Sequence, residues 1–186
     1  MKTFTRIDPT DVVVVGDKFK RATVVKRFAT EDGFRHEFTT FYAEDAKSVA
    51  IFATTKDGRV IVVRVFRPGP EKALVQLPSG GIEQGETPEQ AASRELAEET
   101  GYEAGALTYI GRSHDDGYVN VVQHVFYASN CSRAASKTMN DPLENEQGAE
   151  VELLDPDDLL DKMSRGETCY NGSMIMGYMK YKKERG

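Results

Sequence analysis

The 186-residue sequence predicts an α+β fold in which strands and helices form an α/β/α sandwich. Three features lead to this prediction. Short β-rich runs fill the first third of the chain, a helix with clear start and stop signals follows, and further strands and helices alternate after it. The length agrees with one domain that can bury a sizeable core.

The first third of the chain is predicted to contain five strands, because Val, Ile, Thr and aromatic residues dominate five short runs. Asp32-Gly33 and Asp57-Gly58 lie between consecutive runs, and Asp-Gly supplies the positive φ that tight hairpin turns require. We therefore expect an antiparallel meander. Its strands are residues 11–15, 22–28, 34–42, 48–54 and 59–66.

A helix is predicted between residues 87 and 101, where helix formers replace β-branched residues. Thr87 can cap its start, Pro88 suits the first helical position, and Gln90 completes a capping box. Gly101 can adopt the left-handed conformation that ends helices.

The second half is predicted to alternate strands with helices. Residues 106–112 and 121–128 have β-like composition, whereas the polar stretch 129–148 is predicted to form a long surface loop. The remaining predicted elements are a strand over residues 150–154 and helices over residues 156–164 and 173–183.

Composition excludes several classes of protein. Thirty acidic against 24 basic side chains give a net charge of −6, so long nucleic acids are not bound by charge alone. Cys131 and Cys169 are too few for a disulfide framework and fit a reducing compartment. The sequence begins without the apolar run of a signal peptide and has no membrane-spanning stretch, so we expect a cytoplasmic protein with no membrane partner.

Three glutamates within the predicted helix indicate a metal site. Glu95, Glu98 and Glu99 stand at i, i+3 and i+4, so their side chains project from one side of the helix, about 5–6 Å apart at Cβ. Like charges this close repel, and Arg94 alone cannot neutralise three acids. Carboxylate oxygens suit Mg²⁺ or Mn²⁺. The alternative, taken from these residues alone, is a solvated acidic helix face.

The glycine-rich loop before this helix adds further oxygen atoms. Gly80, Gly81 and Gly85 allow the backbone to fold tightly toward the carboxylates. A main-chain carbonyl of Ser79 or Gly80 can then complete the metal site.

Loop and helix together resemble the Nudix box. The pattern is Gly, five residues, Glu, seven residues, Arg-Glu-aliphatic, any residue, Glu-Glu, any residue, Gly. Tyr102 stands where an aliphatic residue is more usual. The residues that fit are Gly80, Glu86, Arg94, Glu95, Leu96, Glu98, Glu99 and Gly101.

The resemblance implies a hydrolase that needs a divalent metal ion and cleaves a nucleoside diphosphate linked to another moiety. Nudix hydrolases adopt an α/β/α sandwich, which agrees with the predicted fold. By this resemblance Glu95, Glu98 and Glu99 bind the metal or activate water, and Arg94 orients them. Ser79 and Gly80 are implied to supply backbone ligands, and Glu86 and Gly101 to support the structure of the box.

Beyond the box, the chain resembles the branch of ADP-ribose and nucleotide-sugar pyrophosphatases, which release a nucleoside monophosphate and a sugar phosphate. This implies an N-terminal β extension over residues 1–45, a hydrolase domain over residues 46–186, and a homodimer paired through the extension. Arg67 is implied to contact phosphate or base, and Phe28 or Phe34 to stack on the base. The alternative for the aromatic residues is packing within the sheet, and the alternative for Arg67 is a position on a turn.

One departure from this branch concerns the loop after the box. Where ADP-ribose pyrophosphatases carry a proline, this chain has Asp116 and Gly117. The resemblance therefore leaves GDP-sugars, ADP-sugars and dinucleotides open beside ADP-ribose. Two further alternatives are an enzyme acting on RNA 5′ ends and a ligand-sensing module without turnover.

The general base is expected in the polar stretch 129–148, because the family often takes it from a loop after the box. Glu144, Glu146 and Glu150 are the candidates there or beside it, and Glu146 is the preferred one. Glu95 and Glu99 are the competing bases.

Overall fold

The computed structural model describes residues 4–7, 11–14, 21–33, 35–43, 47–67, 70–114, 118–134 and 149–185. The chain divides into two compact units, Met1–Ala46 with His114–Val122, and Lys47–Ser113 with Gln123–Gly186. None of the helices in the described ranges is long and apolar enough to cross a membrane.

The first unit contains a four-stranded antiparallel sheet. Its strands are β1 (Phe4–Arg6), β2 (Asp11–Val14), β3 (Arg21–Thr30) and β4 (Arg35–Ala43). Strand β3 pairs with the other three. The predicted Asp-Gly hairpin between β3 and β4 is confirmed, since Gly33 has a φ of 83°.

The second unit is built on an eight-stranded sheet. In space the main path is β10-β11-β5-β6-β12, while β7 pairs with β6, β8 with β5 and β9 with β11. Gly58, with a φ of 88°, forms the predicted turn between β5 and β6. The strands are β5 (Lys47–Thr55), β6 (Val60–Arg67), β7 (Lys72–Gln76), β8 (Ser79–Gly81), β9 (Tyr102–Glu103), β10 (Ala106–Ser113), β11 (Val122–Arg133) and β12 (Glu150–Leu154).

The predicted meander of five strands is wrong at one junction. Strands β4 and β5 lie in different sheets, although the hairpins on either side of this junction form as expected. Strand β5 is buried along seven consecutive residues. Such a strand needs neighbours on both edges and cover on both faces, which β6, β11 and the helices of the second unit provide.

The predicted loop over residues 129–148 is also wrong at its start. Strand β11 continues to Arg133, pairing through Ser129 with Ala106 and through Ser132 with Glu103. Main-chain hydrogen bonds hold this polar end of the strand, so apolar side chains are not required there. Residues 135–148 lie outside the described ranges.

The second unit has three described helices: α1 (Pro88–Thr100), α2 (Pro156–Ser164) and α3 (Asn171–Arg185). The predicted capping box of α1 is confirmed, because Thr87 Oγ1 accepts from the Gln90 amide at 3.2 Å and Gln90 Oε1 accepts from the Thr87 amide at 2.8 Å. Helix α2 has the predicted bounds, and α3 extends two residues beyond the prediction at each end.

Helices cover both faces of the second sheet, which confirms the α/β/α layering and the α+β class. Successive residues of β5 point to opposite faces. One face packs on α1 and the other on α2 and α3. The core on the first face includes Val49, Ile51, Ala53, Ala91, Ala92 and Leu96, and the core on the second includes Ala50, Phe52, Leu159, Met174 and Tyr181.

Candidate active site

Helix α1 and strand β8 lie in contact, and the box glutamates occupy this side of the helix. Strand β8 is held in place by antiparallel pairing with β5. Glu95 and Glu99, four residues apart, are 7% and 5% exposed, whereas the Glu98 side chain is 39% exposed. Two carboxylates are thus buried where α1 packs against β8.

Gly80 makes room for the first of these carboxylates. A Cβ atom built on Gly80 would lie 2.1 Å from Glu95 Oε1 and 2.2 Å from its Cδ. A side chain at position 80 and the present position of the Glu95 carboxylate therefore exclude each other. The backbone of β8 approaches this carboxylate as only glycine allows.

The second buried carboxylate is oriented by the neighbouring residue of β8. The main-chain amide of Ser79 donates to Glu99 Oε2 at 2.9 Å. This hydrogen bond fixes the direction of the Glu99 carboxylate.

Arg94 connects the other glutamates of the box. Its Nε and Nη2 donate to the two oxygens of Glu86, each at 3.0 Å, in a bidentate pair. Its Nη1 donates to Glu95 at 2.7 Å and to Glu98 at 3.1 Å, and Nη2 also donates to the Gly81 carbonyl at 2.9 Å. One guanidinium thus links the loop to three carboxylates.

Glu86 ties the loop before α1 to this arginine. Its Oε2 also accepts from the Glu83 main-chain amide at 3.0 Å. The hydrogen bonds from Arg94, and then that from Glu83, lower the pKa of Glu86 below its usual value. The surrounding carboxylates, Glu86 first, raise the pKa of Arg94, so the guanidinium stays charged.

Charge and donor type in this cluster suit a hard divalent cation. The box has four glutamates and one arginine, and three of these glutamates pair with that arginine, which leaves an excess of negative charge among the box side chains. The donors are carboxylate and main-chain carbonyl oxygens, which Mg²⁺ and Mn²⁺ prefer. Within the described ranges, no three His, Cys, Asp or Glu side chains already converge on one metal-sized position. Arg94 and the Ser79 amide hold the carboxylates instead.

Arg67 lies at the end of β6 and is bonded to a residue that sequence reasoning missed. Its Nε donates to Gln76 Oε1 at 2.9 Å, and its Nη2 donates to the same oxygen. Gln76 is fully buried. A signal for it existed, because Gln76 is the one polar residue in the apolar run from Leu74 to Leu77.

Two of the other predicted site residues lie within the described ranges. Phe28 lies on β3 in the first unit, half-buried, with its ring edge-to-face against Phe38 at 5.9 Å. Gly101, with a φ of 69°, ends α1 and so has the structural position expected of it. Glu144, Glu146, Phe34, Asp116 and Gly117 lie outside the described residues.

Comparison with known families gives one match over most of the chain. Residues 44–169 match the family model of the NUDIX domain. The matched segment includes every residue of the cluster described above.

Several named proteins are similar in sequence, among them two pyrophosphatases. The ADP-ribose pyrophosphatase of Bacillus subtilis (strain 168) is 35% identical in an alignment of length 147 that covers 70% of this chain and 80% of that protein. The ADP-sugar pyrophosphatase of Mus musculus is 56% identical over 43 residues, which are 23% of this chain and 20% of that protein.

Solved structures also match, and one of them covers nearly the whole chain. It is a crystal structure of an ADP compounds hydrolase, with a TM-score of 0.76 over 98% of this chain and 96% of that one. The two sequences are 20% identical, so this likeness bears on the fold alone.

Proposed function

This chain belongs to the Nudix family, and from that premise we propose that it hydrolyses the pyrophosphate bond of ADP-ribose or of an ADP-sugar. The products are AMP and a sugar phosphate. The observation that carries the proposal is the pair of buried carboxylates, Glu95 and Glu99, fixed against Gly80 and Ser79. Burial of a carboxylate costs free energy, and clefts that bind ligands or catalyse reactions are where such buried charged groups are concentrated.

Glu95, Glu98 and Glu99, with main-chain oxygens of Ser79 and Gly80, would hold Mg²⁺ or Mn²⁺. A bound divalent ion offsets charge on the pyrophosphate oxygens and lowers the pKa of water. The chain's own contribution is to hold these carboxylates in fixed directions. Arg94 does so for Glu95 and Glu98 through charged hydrogen bonds, and the Ser79 amide does so for Glu99.

The proposed reaction is attack of a water molecule on one phosphorus atom. A new P–O bond forms as the bridging P–O bond breaks, and the departing phosphate keeps the electron pair of that bond. A glutamate accepts the proton that the water loses. Glu146 remains the predicted base, and Glu99 competes because its carboxylate is already oriented.

Two observations support an ADP-linked substrate. The similarity to a named ADP-ribose pyrophosphatase spans 70% of this chain, and the short match to an ADP-sugar pyrophosphatase covers 23% of it.

Arg67, on the same unit as the box, supplies a cation for the diphosphate. Phe28 as a base-stacking residue is part of this proposal. Asp116, in place of the expected proline, is the reason to include sugars other than ribose.

A substrate screen tests the proposal. Purified protein is incubated with Mg²⁺ and ADP-ribose, ADP-glucose, GDP-mannose, UDP-glucose or diadenosine polyphosphates, and the products are separated by chromatography. We expect equal amounts of AMP and sugar phosphate from ADP-ribose or ADP-glucose. Turnover confined to the diadenosine polyphosphates, or binding without product, contradicts it.

Assembly and location belong to the same proposal. We propose a cytoplasmic homodimer in which residues 1–45 contribute to the interface, as the family resemblance implies. Light scattering on the full chain measures the mass in solution. A mass of about twice 20.7 kDa is expected, and a mass of 20.7 kDa at micromolar concentration contradicts the dimer.

A further inference from the structure

We infer that Gln76 is a positioning residue that holds the Arg67 guanidinium on the face of the sheet that carries the box. Gln76 does not belong to the box, and the inference deepens the proposed function by adding a residue that sets substrate affinity. It rests on the proposed function in one respect, the binding of substrate by Arg67.

Strand register places both residues on the α1 face of the sheet. Ile61 of β6 packs in the core that contains α1. Alternate residues of a strand share a face, so Val63 and Arg67 lie on the same side as Ile61. Val63 is the register partner of Gln76, and partners across a pair of strands project to the same face.

The bond draws the arginine side chain along the sheet. Arg67 is the register partner of Lys72, whereas its guanidinium reaches Gln76, four residues further along β7. Gln76 precedes Ser79 by three residues, and the Ser79 amide orients Glu99. The bond therefore directs the guanidinium toward the end of β7 that leads into the carboxylate cluster.

Stability alone does not explain a glutamine at this position. Gln76 Oε1 accepts from Arg67, and the Cys169 thiol donates to the same oxygen at 3.7 Å. Because arginine only donates hydrogen bonds, the amide must keep its oxygen on this side. Its Nε2 is then buried with no hydrogen-bond partner in the described part of the chain, which destabilises the fold. An apolar side chain of similar length would avoid that penalty.

The chemistry of the amide suits a positioning role. A carboxylate at position 76 would hold the guanidinium and also offset its charge, which weakens attraction to a diphosphate. The amide of Gln76 holds the guanidinium and adds no charge of its own. Gln76 therefore lowers the stability of the fold through its buried Nε2, and in return it fixes the direction of the Arg67 guanidinium.

The test combines Gln76→Met, Arg67→Ala and the double variant. Methionine keeps the length of the side chain and removes the acceptor. For Gln76→Met we expect KM for ADP-ribose to rise about tenfold with kcat within about threefold, which is the pattern of a lost binding contact. The thermal midpoint should not fall. In the Arg67→Ala background, Gln76→Met should change KM no further, because the two residues act as one unit.

A second readout follows Arg67 without turnover. The Arg67 Nε–H proton, bonded to a buried oxygen, should exchange slowly with solvent in the NMR spectrum, and Gln76→Met should speed its exchange at least tenfold. Gln76→Glu, which keeps an acceptor, should restore the slow exchange. The matched control is Gln123→Met, since Gln123 is also buried but bonds Ser173. It should leave both KM and the Arg67 signal unchanged.

Two results overturn the inference. One is slow exchange of Arg67 Nε–H that persists in Gln76→Met, which shows that Gln76 does not hold the guanidinium. The other is a rise in KM for Gln76→Met that is equally large in the Arg67→Ala background. Failure of the proposed function is seen differently, as a wild-type protein that releases no AMP from ADP-ribose while the exchange experiment still reports on Gln76.

Discussion

Replacement of Gly80 by alanine tests whether the Glu95 carboxylate must lie against the backbone of β8. The added Cβ would lie 2.1 Å from Glu95 Oε1, and Cβ contacts below 3.0 Å essentially do not occur. The carboxylate must therefore move by about 0.9 Å. Since the atom that moves is the end of a side chain, the fold can accommodate the change.

The expected cost falls on activity. Glu95 is bonded to Arg94 Nη1 at 2.7 Å, and a shift of this size breaks or lengthens that bond. Misplacement of a catalytic group by about 1 Å reduces the rate by about a hundredfold, which corresponds to about 2.7 kcal/mol of transition-state stabilisation. Loss of the hydrogen bond costs stability about 1 kcal/mol, or about 2–4 °C in thermal midpoint.

The assay compares steady-state hydrolysis of ADP-ribose with thermal unfolding in the same buffer with Mg²⁺. The matched control is Gly81→Ala in the same strand, because a Cβ at Gly81 would meet no atom within 4 Å. This control should retain the wild-type rate and thermal midpoint. Near-wild-type turnover by folded Gly80→Ala would refute the argument that Glu95 has to lie against Gly80.

Three further predictions concern stability and reactivity. Arg94 lowers the pKa of Glu86 from its usual value of about 4.5, so the ionised Glu86 side chain stabilises the folded chain above that pH, and this stabilisation is lost as the pH falls through the lowered pKa. In Glu86→Gln the thermal midpoint should therefore fall less steeply between pH 5 and 3 than in the wild type, and an unaltered pH dependence contradicts this. Gly177→Ala would place Cβ 2.2 Å from the Cβ of buried Phe52, so overpacking should cost about 1–3 kcal/mol in denaturant unfolding, and an unchanged midpoint is the contrary result. Burial raises the pKa of Cys131 to about 11, so in a Cys169→Ser background this thiol should react with a disulfide reagent at pH 8 only after unfolding, and rapid reaction of the native chain contradicts that burial.

Elements with local signals were predicted from the sequence at residue level. The start and end of α1 followed from Thr87, Pro88 and Gly101, because capping depends on residues within one turn of the helix. The two Asp-Gly hairpins followed in the same way from the positive φ of Gly33 and Gly58.

Pairings between distant segments were not accessible to the same reasoning. The separation of β4 from β5 depends on which strands flank β5, and those lie far along the chain. The polar end of β11 is a strand because its backbone pairs with β9 and β10. Side-chain polarity carried no signal for that pairing.

In the candidate site, too, local spacing was predictable from the sequence and contacts between elements were not. Spacing identified Glu95, Glu98 and Glu99 as one side of a helix. The contacts of each carboxylate, with Gly80, with Arg94 and with the Ser79 amide, depend on how α1 packs on β8. Gln76 was missed because its meaning depends on Arg67, which reaches it only through the register of β6 and β7.

In the proposed reaction, the carboxylates buried beside β8 support cleavage of a pyrophosphate bond that depends on a divalent metal ion. Glu99→Gln tests it most directly, since the amide oxygen can still accept from the Ser79 amide while the charge is removed. We predict that AMP release from ADP-ribose requires Mg²⁺ or Mn²⁺ and falls by about a hundredfold or more in this variant, with unchanged thermal unfolding. Wild-type rates from folded Glu99→Gln, or full activity after removal of divalent ions by EDTA, would contradict a metal-dependent role for these carboxylates.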